Sequence, residues 1–356
     1  MKLSRRRFLH LVAGAAALPV VSPIARAQAY PTRPVHIIVG FGAGGAADFI
    51  ARLIGQWLSE LLDQPFVIEN RVGAGTNIAT EAVVRAAPDG YTLLLVSASN
   101  AINATLYDKL NFNFVRDIAP VASLIDVPSV FVVNPSVPAK TIPEFIAYAK
   151  ANPGKINMAS VGTGSQPHLA GELFNIMAGV KMVHVPYRGA PPALTDLLAG
   201  QVHAYFATTA TSIEHIKTGK LRALAVTSTT RSEALPEIPT VADFLPGFEA
   251  RAWFGVGTPR NTPAEIVASL NKEINAGLAD FKIRSRLADI GATVLTGSHS
   301  EFGKLIVGET EKWAKVIRAA NIRPSESRLP TKSCRSCAHN PTSGRMSLVG
   351  QNEPCC

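Results

Sequence analysis

The chain has 356 residues, 47% of them hydrophobic and 17% charged, with 35 Lys and Arg against 26 Asp and Glu. That much apolar material, without a glycine period, excludes a disordered, collagen-like or disulfide-dense small protein, and the length predicts a core divided between two domains. The formal net charge of +9 invites a nucleic acid or an acidic surface as partner, but most of that charge lies at the two ends of the chain.

Residues 1–27 carry Lys2, Arg5, Arg6, Arg7 and Arg26 and no acid, so their removal leaves +4. The basic start, the apolar stretch Phe8 to Val21 and the small-x-small triplets Ala25-Arg26-Ala27 and Ala27-Gln28-Ala29 predict an export signal, too short and wrongly flanked for a membrane span. Ser4-Arg5-Arg6-Arg7-Phe8-Leu9 resembles the twin-arginine signal, with an ordinary Sec signal as the alternative; both routes lead to a bacterial periplasm. No later stretch of about 20 apolar residues is present to hold the protein in a bilayer.

Val35 to Val39 is a short β-branched run that predicts a strand, and Gly40 to Gly45 predicts the turn after it. Apolar Phe49, Ile50, Leu53, Ile54, Trp57, Leu58, Leu61 and Leu62 then recur at helical spacing. Pro65 to Glu69 predicts a second strand, Ile78 to Ala86 a helix and Tyr91 to Val96 a third strand. This is repeated βαβ, hence a parallel sheet with both faces covered. The alternation resumes with a capping box, Thr141-x-x-Glu144, and strands near Asn157 to Ser160, Met182 to Val185, His203 to Phe206 and Ala223 to Thr227. Gly200 and Gly219 stand where helices should stop. Pro263 to Leu278 and Phe302 to Ala319 predict two amphipathic helices.

From Ser325 to Cys356 the periodicity ends and all four cysteines appear: Cys334, Cys337, Cys355 and Cys356. With His339 they form a conceivable zinc or redox set, but the Gly- and Pro-bearing spacer predicts a disordered, appended tail and no metal site. Without this tail's four basic and two acidic residues, the segment 28–324 is near +2, which removes the case for nucleic acid or lipid.

Gly40-Phe41-Gly42-Ala43-Gly44-Gly45 satisfies G-x-G-x-x-G between a strand and a helix, and Glu69, 24 residues past Gly45, is placed to hold an adenosine ribose. Local sequence therefore leaves open an exported nicotinamide-dependent oxidoreductase. Any strand-turn-helix corner that brings bare N–H groups near an anion wants glycine as well. No catalytic constellation accompanies the loop. Ser165 and His168 are too close along one helix, no Ser sits in a G-x-S-x-G elbow, and the eight histidines show no HExxH grouping.

Several stretches carry a resemblance to a known family. They are Tyr30-Pro31-x-Arg33-Pro34, Val39 to Asp48, Glu69-Asn70-Arg71-x-Gly73-Ala74-Gly75 and Pro88-Asp89-Gly90-Tyr91-Thr92-Leu93. They continue with Gly162-Thr163-Gly164-Ser165-x-x-His168-Leu169, Val185-Pro186-Tyr187-x-Gly189, Gly219-Lys220-Leu221-Arg222-x-Leu224-Ala225-Val226 and Trp253-Phe254-Gly255. In this order, from Tyr30 to Ile322, they resemble the Bug family, the solute-binding proteins of tripartite tricarboxylate transporters. The resemblance implies a non-enzyme of α/β class with a type II periplasmic binding protein fold, two lobes joined by a two-strand hinge around a ligand cleft. The crossing is expected near Asp126 to Val133 and the return near Phe248 to Gly255. Lobe 1 is then 28–128 and 250–324, and lobe 2 is 129–249.

In such a site backbone N–H groups and helix N-termini meet the ligand's charge. On lobe 1 the resemblance implies ligand contacts from Phe41, Ala43, Gly44 and Gly45. Asp48 either holds the loop or a water, or is only a first-turn dipole partner. Ser97 and Ser99 are expected at the ligand, with helix capping as the alternative. On lobe 2 the candidates are Thr163, Ser165 in a cap position, His168, Tyr187 and Thr208. His168 is alternatively a structural group and Tyr187 a core aromatic, while Asp196 is expected to be structural. Two departures from the family pattern stand out. Gly40 and Gly42 replace prolines and loosen the first loop, and Ala207 stands where an acid is common, which removes a partner for a ligand ammonium. The expected ligand is therefore a di- or tricarboxylate without an amino group. The implied partners are membrane transporter subunits, with a carboxylate sensor as the alternative; the protein is expected to be a monomer with no cofactor and no nucleic acid.

Overall fold

A computed structural model describes residues 30–107, 109–319 and 321–323. The predicted export signal at 1–27 and the cysteine-bearing tail at 325–356 lie outside the described residues. The first strand, β1 (Val35–Val39), is buried on both faces, as a β-branched run in the middle of a parallel sheet should be. It leads into α1 (Ala46–Leu62), β2 (Phe66–Asn70), α2 (Asn77–Val84), β3 (Thr92–Ser97), α3 (Ala98–Leu106), the single turn α4 (Phe114–Asp117) and β4 (Ile118–Val127). One residue, Pro128, separates β4 from β5 (Ser129–Val133). Then come α5 (Ile142–Ala151), β6 (Asn157–Ser160), α6 (Gln166–Ala178), β7 (Val183–Pro186), α7 (Ala190–Leu198), β8 (Ala204–Thr208), α8 (Thr209–Lys217) and β9 (Arg222–Val226). The chain closes with β10 (Ala252–Pro259), α9 (Ala264–Ala279), α10 (Phe281–Asp289), β11 (Thr293–Val294) and α11 (His299–Ala319).

These strands form two sheets, and each sheet is the floor of one lobe. The six-stranded sheet has the order β11-β4-β10-β3-β1-β2, and the five-stranded sheet β7-β6-β8-β5-β9. In the first, β1 is parallel to β2 and β3, whereas β10 runs antiparallel to β3 and β4. The second repeats the plan: β6 is parallel to β7 and β8, and β5 runs antiparallel to β8 and β9. The strand inserted antiparallel in each sheet is thus one that has just arrived from the other lobe, β5 outward and β10 on the return. Pro128 ends one ladder and starts the next because it has no N–H to give either.

The cores follow the period of two along the strands. Ile37 and Val39 pack with Ile50, Ile54 and Leu58 of α1 and with Leu270 and Ile274 of α9, while Ile38 faces Ala79, Val83, Phe302 and Ile306. In the second lobe Phe131 and Val133 join Phe145, Phe174, Phe206 and Phe248 on one face, and Val130 and Val132 join Leu194, Leu197 and Tyr205 on the other. Phe131 stacks on Phe206 with centroids 4.3 Å apart. This phenylalanine cluster also takes in Ile102 and Leu106 of α3 and Trp313 and Ile317 of α11, so elements that precede and follow the second lobe seal its open face.

The seven strands expected between Val35 and Thr227 fall within one or two residues of their expected bounds, whereas β4, β5, β10 and β11 have no expected strand bounds of their own, and the helices differ more. α11 begins at His299 because Ser298 and Glu301 cap it reciprocally: Glu301 N–H donates to Ser298 Oγ at 3.2 Å and Ser298 N–H to the Glu301 carboxylate at 2.7 Å. Apolar periodicity alone starts this helix three residues late. α10 escapes periodicity because only Ile283 and Leu287 are buried, and Asp280 opens it by accepting from the amides of Lys282 and Ile283. At α5 the expected box is only half made, since Thr141 accepts from Glu144 N–H but the Glu144 carboxylate accepts from Lys140 N–H. Gly200 and Gly219 do end α7 and α8, at φ of 75° and 70°.

Candidate functional site

Five helices from both lobes begin at the cleft. Their N-caps are Gly45 for α1, Ser97 for α3, Ser165 for α6, Gly189 for α7 and Thr208 for α8. Between their first turns lies a cavity of about 60 Å³, against roughly 10–15 Å³ needed for one water, so a small organic molecule fits. The first lobe contributes Phe41, Gly42, Gly45, Ala46 and Ala47, with Ser97, Ala98 and Ser99. The second contributes Val161, Gln166, Pro167, Gly189, Ala190, Tyr205, Thr208 and Thr211, and the return strand β10 adds Ala252, Trp253 and Phe254.

Among the described residues, no lysine, arginine, aspartate or glutamate lines this cavity. Its electrostatics come instead from helix ends. First-turn amides have no acceptor within their own helix, and each helix carries a partial positive charge at its start. Ala46 and Ala47 of α1, Ala98 and Ser99 of α3 and Ala190 of α7, all first-turn residues, line the cavity. Phe41, Trp253, Phe254 and Val161 keep the remaining wall apolar. Such a site suits a small anion with an uncharged carbon skeleton.

Asp48 braces the first loop from behind. Its carboxylate accepts from Gly44 N–H at 3.1 Å, from Arg52 Nε and Nη2 at 2.9 Å each and from Asn70 Nδ2 at 3.0 Å. Asn70 Nδ2 also donates to Phe41 O at 2.9 Å, so both ends of the turn are tied to β2. Burial alone would raise the Asp48 pKa; the hydrogen bonds from Arg52, Gly44 and Asn70 outweigh it and hold the carboxyl below its usual range. Asp48 thus ties Gly44 of the loop to Arg52 and Asn70.

The two lobes touch across the cleft. A Cβ on Gly42 would come within 2.7 Å of Arg188 O, and Gln166 N–H donates to Ser99 Oγ at 3.3 Å. Tyr107 Oη donates to Thr163 O at 3.4 Å. Gly42 therefore does more than loosen its loop, because only a residue without a side chain lets the loop approach α7 so closely. Gly40 is similarly confined, with Thr76 Cβ 2.6 Å from where its own Cβ would be.

The candidate residues divide. Phe41, Gly45, Ser97, Ser99 and Thr208 line the cavity together. Ser97 is also a helix cap, its Oγ and N–H both bound to Asn100 Oδ1. Ala43 and Gly44 are exposed, because the turn directs Gly44 N–H back to Asp48. Thr163 lies against Tyr107, and Ser165 Oγ donates to Gly162 O at 2.6 Å instead of capping α6. His168 is a structural group: Gly164 N–H donates to its Nδ1 at 3.2 Å, and its ring stacks on His184 at 3.9 Å. Burial, and secondarily His184, lowers its pKa to about 3. Tyr187 gives its hydroxyl to Asp196 at 2.6 Å, which ties down α7 rather than covering the cavity. Glu69, assigned to a ribose in the dinucleotide reading, is engaged by His36 Nδ1 at 2.5 Å and Arg71 Nη2 at 2.7 Å.

Sequence reasoning missed Gln166, Tyr205, Thr211 and Trp253. Gln166 reaches the segment just before β10, donating to Ala250 O at 3.1 Å and accepting from Ser129 Oγ at 3.3 Å. Trp253 and Tyr205 sit inside strands that read as ordinary core, each as the second residue of its strand, Trp253 just past the hinge crossing.

Two lobes, each with one antiparallel strand lent by the hinge, and an uncharged cleft ringed by helix N-termini define a two-lobed solute-binding receptor. The chain belongs to the family described as "TctC: Tripartite tricarboxylate transporter family receptor", whose family model matches residues 50–322. This is a family of solute-binding receptors, not of enzymes, and the oxidoreductase alternative falls with that. Protein BugT of Bordetella pertussis is 38% identical over 307 residues, 85% of this chain and 94% of that protein. Rpa4515 of R. palustris, solved with adipate, superposes with a TM-score of 0.80 at 37% identity over 83% of this chain and 99% of that one. MatC from Rhodopseudomonas palustris, solved with bound malate, superposes with a TM-score of 0.78 at 33% identity over 81% of this chain and all of that one.

Proposed function

We propose that this protein is an exported periplasmic receptor that captures a di- or tricarboxylate without an amino group and presents it to the membrane subunits of a tripartite tricarboxylate transporter. One observation carries the reading: five helix N-termini converge on a cavity that, among the described residues, no charged side chain lines. Amides and helix ends stabilise carboxylates without a formal counter-ion, which keeps capture reversible. An amino-acid ligand would bring an ammonium into a wall with no carboxylate to receive it. The adipate and malate bound by the two structural relatives are carboxylates of the same size class.

In this reading lobe 1 comprises 28–128 and 250–324 and lobe 2 comprises 129–249. The ligand binds one lobe first and draws the other over it, because the contacts of both lobes are available only when they meet. Closure brings Gly42 against Arg188 and Ser99 against Gln166, and the closed form docks to the membrane partner. Segment 1–27 serves as the export signal. Among the described residues no helix is long and apolar enough to cross a membrane. Native mass spectrometry of protein purified from its host tests the reading: a retained mass equal to a di- or tricarboxylate is expected, and a retained amino acid or nucleotide contradicts it.

A further inference from the structure

Tyr205 on β8 lies opposite Val132 of β5 and Ala159 of β6, and its ring packs with Val132, Ala159, Ala193 and Leu194. The residue is 1% exposed, yet it lines the ligand cavity. Among the described residues its hydroxyl has no hydrogen-bond partner. Asn77 Nδ2 and Asn103 Oδ1 also lack one, but neither residue lines the cavity, as Tyr205 does. Buried hydroxyls are ordinarily paired, and one left open to a ligand cavity is aimed at something the ligand brings.

We propose that the Tyr205 hydroxyl reads an uncharged oxygen on the ligand's carbon chain, which makes the bound class a hydroxy- or oxo-substituted carboxylate. This rests on the carboxylate reading above. A carboxylate is best met by several convergent donors in a positive potential, and the helix ends supply those. Tyr205 differs in kind: one donor and one acceptor, on a side chain from inside a strand, set in a wall of alanine and valine. A ligand hydroxyl can both accept from it and donate to it, and an oxo group can accept. Burial keeps the phenol protonated, raising its pKa above the usual range, so it stays a donor at any pH the protein meets. A ligand without that oxygen leaves the hydroxyl unpaired in the closed complex and is discriminated against.

Titration calorimetry on wild type and Tyr205→Phe tests this with three probe pairs that differ by one oxygen: succinate and malate, glutarate and 2-oxoglutarate, tricarballylate and citrate. Tyr205→Phe keeps the ring and removes only the hydroxyl. Wild type is expected to bind the oxygen-bearing member of at least one pair about tenfold more tightly. In Tyr205→Phe that ratio should fall to near one, with the affinity for the plain member nearly unchanged. An unchanged ratio, an equal loss for both members, or a wild-type preference for the plain member overturns the role of Tyr205 and leaves the carboxylate reading standing. Wild type that binds none of the six overturns both.

Discussion

The indole N–H of Trp253, on the strand that returns from the second lobe, donates to a carboxylate oxygen of Glu309 on α11 at 3.2 Å. The same oxygen accepts from Trp313 Nε1 at 3.2 Å, and Lys312 Nζ lies 3.5 Å from the other oxygen. Glu309 is 8% exposed, so one buried carboxylate holds a tryptophan of the ligand wall and a tryptophan of the second lobe's phenylalanine cluster.

Glu309→Leu removes the acceptor from two buried indole N–H groups, at about 1–3 kcal/mol for each donor left unpaired. Denaturant unfolding should show a clearly lowered midpoint for Glu309→Leu and a much smaller change for Glu309→Gln, which keeps an acceptor. Equal midpoints for the two variants would show that the indole bonds do not matter to stability.

Asp48→Ala leaves Gly44 N–H and Arg52 without their acceptor and frees the loop from Phe41 to Gly45. Hydrogen bonds to charged groups contribute about 1.5–3 kcal/mol, partly offset here because Arg52 is solvent-exposed. Carboxylate affinity measured by calorimetry should fall by about tenfold or more, since the α1 amides are no longer held toward the cavity. Affinity unchanged in Asp48→Ala would refute the bracing role.

Gly42→Ala tests closure. Position 42 has no left-handed φ to strain, so an alanine there meets trouble only when Arg188 O of the other lobe comes within 2.7 Å. Unfolding of the ligand-free protein should be within about 0.5 kcal/mol of wild type while carboxylate binding weakens by about tenfold or more. A variant that binds as tightly as wild type would mean that this approach is not part of the bound state.

His168 and His184 predict an acid-side loss of stability. Burial holds His184 neutral with a pKa of about 4, and burial together with His184 brings His168 to about 3, against 6.5 for a free imidazole. Between these values the unfolded chain binds more protons than the folded one. Stability is therefore complete above pH 6.5 and falls with decreasing pH, by up to about 1.4 kcal/mol per histidine per pH unit. Denaturant midpoints between pH 7 and 5 should show this slope, and His184→Gln should flatten it. A wild-type slope near zero over that window would contradict the burial argument.

Much of the fold was legible because its strands are apolar runs closed by glycine turns, as at Val35 to Gly45, and because family-like motifs cover the chain from Tyr30 to Ile322. α10 was not, since a helix that buries only Ile283 and Leu287 leaves almost no apolar period. The site was half legible. Loops at helix starts announce themselves through glycine and serine, and of the residues such loops suggested, Phe41, Gly45, Ser97 and Ser99 line the cavity. Local sequence does not say which way such a loop faces: Gly44 turns back to Asp48, and His168 sits under its loop against His184. Tyr205 and Trp253 look like core in sequence and reach the cavity only because the hinge and β8 bring them there.

The central claim, that helix ends in an uncharged cleft select a carboxylate without an ammonium, is tested most directly by titration calorimetry of the purified protein with succinate, malate and citrate against aspartate and glutamate. Saturable binding of at least one of the first three, with no heat from either amino acid, is the result predicted. Tight binding of aspartate or glutamate together with no binding of succinate, malate or citrate would contradict it.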